Sequence, residues 1–124
     1  MRIAAVEHTL PSRIVTNERI IRQVREHNRE RLPASELARI EDTIDAFLTA
    51  AGTEIRYQLG DDESAIDLVL KASRRVLAAT NVSRDDVDLI IYTGVGRGWI
   101  EPAMASAVQA ELELRNATGF DILD

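Results

Sequence analysis

Residues 93–102 read TGVGRGWIEP, and they bring several side chains that could act on a substrate into one short segment. Arg97 offers a guanidinium and Glu101 a carboxylate, while Trp99, the only tryptophan, and Ile100 add a large apolar surface. Gly94, Gly96 and Gly98 allow backbone conformations that other residues avoid. Three roles fit such a loop: cradling a phosphate, presenting a catalytic carboxylate, or simply turning the chain. A dinucleotide site wants G-x-G-x-x-G between a strand and a helix, so that a pyrophosphate can rest on the helix N-terminus. Gly94 and Gly96 fit, but Trp99 stands where a small third residue is needed, and Pro102 lies where the helix should offer free N–H groups. No Gly-Lys-Ser/Thr follows, so the P-loop pattern fails too. A strand-to-helix turn and a catalytic loop remain. The loop follows an apolar run, VDLIIY, and open α/β sheets place their sites at the carboxyl ends of such strands.

The bulk properties narrow the chemistry. The chain has 124 residues, enough for one domain, with 45% hydrophobic and 29% charged residues. A net charge of −6 argues against nucleic acid, which needs clustered Lys and Arg, and against an anionic membrane surface. There is no cysteine, so these residues contain no disulfide, thiolate metal site or Cys nucleophile. His8 and His27 are too far apart to form a recognisable metal motif. The N-terminal MRIAAVEHTL is too short in apolar residues for a signal peptide, and a reducing cytoplasm is the expected location.

The elements that must position the loop follow from periodicity. Residues 2–7 read as a short buried strand and HTLPSRIV as a connection. Thr16 is the expected N-cap of a helix over about 17–30. Pro33 and Ser35 open a second helix, with Leu37, Ile40, Ile44, Phe47 and Leu48 on its apolar face and Gly52 as its stop. TEIRYQL (53–59) alternates as a strand exposed on one face. Ala65, Leu68, Val69, Ala72, Val76 and Leu77 define a third helix. VDLIIYT (87–93) suits a central strand covered on both faces. Pro102 opens a fourth helix facing inward through Met104, Ala105, Val108 and Leu112, and GFDILD (119–124) is a last strand. This order predicts an α/β fold, a mostly parallel sheet with helices on both faces.

With these elements in place the sequence resembles the N-terminal half of a thiolase-fold condensing enzyme of the ketoacyl-ACP synthase III type. The resemblance spans nearly all of 1–124. It rests on LPSRIVTNE after the opening strand, GTEIRYQL with its internal Arg56, NVSRDDVDLIIYTG, the Pro-started helix and GFDILD. Arg97, Glu101 and Pro102 form an Arg-x-x-x-Glu-Pro pattern similar to the acyl-CoA condensing thiolases of olefin synthesis.

The resemblance implies a Claisen condensation of acyl-CoA or acyl-ACP with no cofactor. Glu101 would be a base reaching a neighbouring subunit's site, Trp99 and Ile100 would line the substrate channel, and Arg97 would support the loop. An apolar channel would bring a carboxylate closer to working pH. The alternative for Glu101 is an acidic residue complementing its own helix dipole. The family's nucleophilic cysteine would follow Asp124 almost at once, and its catalytic His and Asn would lie in the second half. The 1–124 domain is therefore expected to be incomplete and inactive alone. Its expected partner is the remaining thiolase half, from the same gene or a separate chain, in a homodimer or heteromer. The other expectation is a non-catalytic subunit that completes or gates such a partner. Where the family carries a Trp and an Arg that hold the CoA nucleotide, this chain has AFLTAAG (46–52), and Phe47 reads as core.

Overall fold

Thr16 does what its position predicts. Its hydroxyl accepts from Arg19 N at 3.3 Å and so caps the first helix, α1 (Asn17–Asn28). The computed structural model describes residues 2–94 and 101–123 and divides them into two units. One unit takes Pro11–Gly60. Here the strand β1 (Arg13–Thr16) leads into α1, and α2 (Ala34–Ala50) packs back against α1. The strand β2 (Ile55–Gln58) then pairs antiparallel with β1, Ile14 opposite Tyr57 and Val15 opposite Arg56. Val15 is fully buried, and Leu37 of α2 is the other buried apolar side chain of this unit. Gly52 ends the second helix at φ +66°, a left-handed conformation that costs glycine little. Arg25 and Glu41 tie α1 to α2 in a two-point guanidinium–carboxylate pair, with Nε to Oε1 at 2.8 Å.

The other unit joins the first ten residues to those from Asp61 onward. Ser64 and Asp67 form a capping box that starts α3 (Ala65–Thr80). Asn81, at φ +53°, closes it, and a 3-10 turn (Arg84–Asp86) capped by Ser83 leads to β3 (Leu89–Gly94). The strand β4 (Thr118–Leu123) follows α4 (Met104–Glu111) and pairs in parallel with β3, from Leu89 opposite Thr118 to Gly94 opposite Leu123. Leu70 of α3 meets Val108, Leu112, Leu114 and Ala117 in one buried cluster, with Ile66, Val69, Leu77, Val87 and Ile90 packed around it. Apolar area removed from water in this cluster is what fastens α3 and α4 together.

Several expectations need correction. Residues 2–7 form no strand. They lie outside any ladder, with Ile3 and Val6 exposed, because a strand needs a partner for its N–H and C=O groups and none is paired with them among the described residues. Arg75 holds this stretch instead, by an ion pair to Glu7 at 2.9 Å and a hydrogen bond to the His8 carbonyl at 3.2 Å. The first strand comes from the expected connection, because RIVT finds β2 to pair with. Among the described residues the strands form two separate pairs, only one of them parallel, in place of one mostly parallel sheet. Among the described residues β3 is covered on one face: α4 lies against both β3 and β4, while Leu89, Ile91, Phe120 and Ile122 remain between 44% and 52% exposed on the other side. Phe47, read as core, is 71% exposed, because the α2 face that packs inward is the one carrying Leu37, Ile40 and Ile44.

Candidate active site

The carboxyl end of β3 and the start of α4 bracket the predicted loop, and β4 fixes their geometry. The residue before α4 is Ala103, whose side chain cannot cap, yet a helix start leaves N–H groups unpaired. Asp121, in the middle of β4, takes that role from 17 residues away. Its Oδ2 accepts from Met104 N at 2.8 Å, and its Oδ1 accepts from Ala105 N at 2.9 Å. Hydrogen bonds to an ionised carboxylate are among the stronger ones in proteins. Gly119, two residues earlier on the same face, lets the helix come this close. A Cβ there would sit 3.1 Å from the Ala105 Cβ, so a side chain at this position would require α4 to give by a few tenths of an ångström. Met104 and Ala105 are buried at this contact. The inward face predicted for this helix, Met104, Ala105, Val108 and Leu112, is buried throughout.

Pro102 does not open the helix. It lies in a bend, and α4 begins two residues later, where Asp121 holds the first amides. Glu101 lies in the same bend, exposed, and makes no hydrogen bond or ion pair among the described residues. The first turn of α4 carries no acidic residue, and the cap belongs to Asp121, so Glu101 is not the cap of its own helix. Arg97, Trp99 and Ile100 lie outside the described residues. In the other unit Arg56 is half-buried with Nη1 sequestered and unpartnered among the described residues, as is Asn17 Oδ1. Among the described residues no group of three or more His, Cys, Asp or Glu side chains is arranged to hold a metal ion, and no helix is long and apolar enough to cross a membrane.

Sequence reasoning missed Asp121. Two signals mark it: an acidic residue in the middle of the apolar strand GFDILD, and a helix start lacking Ser, Thr, Asp or Asn at its N-cap. Each is an anomaly alone, and together they explain each other.

The chain is ketoacyl-synthase-III-like and has the thiolase-type fold of condensing enzymes. In particular, it is 34% identical over 121 residues to the β-ketoacyl-[acyl-carrier-protein] synthase III of Granulibacter bethesdensis, covering 97% of this chain and 32% of that protein. It is 31% identical to the enzyme of the same name from Caulobacter vibrioides, over 97% of this chain and 32% of that one. The chain thus spans about a third of the length of these relatives. Among solved structures, a 3-oxoacyl-(acyl-carrier protein) synthase from Burkholderia xenovorans matches with a TM-score of 0.75 at 28% identity, covering 99% of this chain and 31% of its own. Xanthomonas campestris OleA matches with a TM-score of 0.78 at 24% identity, over 98% of this chain and 33% of that one. No protein-family profile matches.

Proposed function

We propose that this chain forms part of a β-ketoacyl synthase III-like enzyme that condenses two acyl thioesters, acyl-CoA or acyl-ACP. The nucleophilic cysteine comes from polypeptide outside these residues, in the same gene product or a second chain, and the working form is a dimer or heteromer. In the first half-reaction the cysteine thiolate attacks an acyl thioester and expels the donor thiol. In the second, a base removes the α-proton of another acyl thioester. The resulting carbon attacks the cysteinyl thioester carbonyl, so a C–C bond forms and the C–S bond to cysteine breaks. The product is a β-ketoacyl thioester, and the thiolate returns. Glu101 is the base, directed at a partner subunit's site, with Trp99 and Ile100 along the substrate channel and Arg97 supporting the loop. Such a base must come within hydrogen-bond reach of the α-proton.

The observation that carries the reading is the division of labour at α4. Asp121 satisfies the helix start, so Glu101, exposed in the bend, is not needed to cap the first amides of α4. Two further features favour completion by more polypeptide. One is the half-exposed apolar face of β3 and β4, since exposed strand faces of this kind invite association. The other is the sequestered Nη1 of Arg56, a donor that needs an acceptor. OleA of Xanthomonas campestris has been solved with lauric acid and lauroyl-CoA, which makes lauroyl-CoA a suitable probe.

The test is reconstitution with the cysteine-bearing remainder and lauroyl-CoA as the only acyl donor. A β-ketoacyl thioester from the assembly, and none from the chain alone, is the expected outcome. Condensation only with a malonyl donor contradicts the base reading, and turnover by the isolated chain contradicts the reading as a whole.

A further inference from the structure

We infer that Asp121 is a positioning residue for the proposed proton abstraction, which makes this inference rest on Glu101 being the base. The carboxylate spends both oxygens on the first turn of α4, at 2.8 Å to Met104 N and 2.9 Å to Ala105 N. Met104 is three residues after Glu101, and only Pro102 and Ala103 lie between. Gly119 sets the same turn directly on β4, with the Ala105 Cβ 3.1 Å from where a Gly119 side chain would begin. The anchor is therefore not local to the helix. It fixes where the bend carrying Glu101 leaves the helix relative to the carboxyl end of the parallel β3–β4 pair. A local cap would satisfy the same N–H groups while leaving the turn free to shift on the strand. Catalytic geometry is sensitive to such shifts: a displacement of about 1 Å can cost about a hundredfold in rate.

That distinction gives the experiment. Asp121→Asn removes one acceptor and turns an amide N–H toward a backbone donor. Ala103 sits at φ −54°, ψ 142°, an extended conformation from which an acidic side chain can cap its own helix. The double variant A103D/D121N therefore restores a cap without restoring the link to β4. Wild type, D121N, A103D/D121N and, as reference, E101Q are compared in the assembled condensing enzyme with lauroyl-CoA. Three quantities are read: acylation of the cysteine by mass, exchange of the α-proton with solvent deuterium, and the protein's melting temperature.

The expected result is that A103D/D121N melts like wild type and acylates its cysteine normally, yet loses α-proton exchange by about a hundredfold, as E101Q does. Should D121N fail to fold, the double variant alone carries the comparison. Wild-type exchange in A103D/D121N shows Asp121 to be only a cap and overturns the inference, while the reading of Glu101 stands. Equal loss of acylation and exchange in that variant also overturns it. Unchanged exchange in E101Q overturns the base reading and this inference with it.

Discussion

The starts of α3 and α4 stand in the same unit and share one core, yet they are held by opposite means. At α3, Ser64 accepts from Asp67 N at 3.3 Å, and Asp67 accepts from Ser64 N at 3.3 Å, three residues apart in sequence. At α4 the cap, Asp121, lies on a strand that comes after the helix has ended. A capping box needs nothing but its own turn, so it tells the helix where to start but not where to sit. A cap supplied by β4 does both, and it ties the helix start to the sheet. The bend with Glu101 leads directly into the tethered helix, the kind of support that the proposed base requires.

The largest effect is expected at the core the two helices share. Leu112→Ala, at a site only 3% exposed, should cost about 2–5 kcal/mol and loosen both helices together. Guanidinium unfolding with amide exchange checks this, and loss of protection in α4 alone would show that the two helices are not one packed body. Asp121→Ala should cost less, about 1–3 kcal/mol for two donors left without their charged acceptor. Exchange should quicken at Met104 and Ala105 while the Asp67 amide keeps its protection. Ser64→Ala should cost about 1 kcal/mol and give the reverse pattern, fast at Asp67 and unchanged at Met104.

The mildest probe lies in the other unit. The hydrogen bond from Arg25, more than its charge, holds the Glu41 carboxyl below its ordinary range, and Glu41 in turn holds Arg25 protonated. Because the folded value of Glu41 is the lower one, the pair's contribution is fully present above the ordinary carboxylate range. It fades as pH falls through the folded value. Glu41→Gln should therefore flatten the acid limb of stability for Pro11–Gly60, measured as unfolding midpoint against pH. Neither helix start in the other unit should respond.

What was legible in the sequence follows the same division. Thr16, Gly52 and the apolar stripe of α4 act within a turn or two, so their spacing reveals them. Partners chosen across the fold are not written in any window. RIAAVE and RIVT are equally plausible strands alone, and only the antiparallel register with β2 selects the second. VDLIIYT looks covered on both faces, but α4 takes one face and nothing in this chain's described residues takes the other. Glu101 was legible as a candidate from its neighbours. The residue that frees it from capping was not, because Asp121 is recognised only when β4 is laid beside α4.

The most direct test of the account is a single-turnover reaction of the assembled enzyme with lauroyl-CoA, comparing wild type with Glu101→Gln. Cysteine acylation and β-ketoacyl product are followed separately. Glu101→Gln should acylate at the wild-type rate and form product about a hundredfold or more slowly, the usual range for removing a general base. Product formed by E101Q at the wild-type rate would contradict Glu101 as the base.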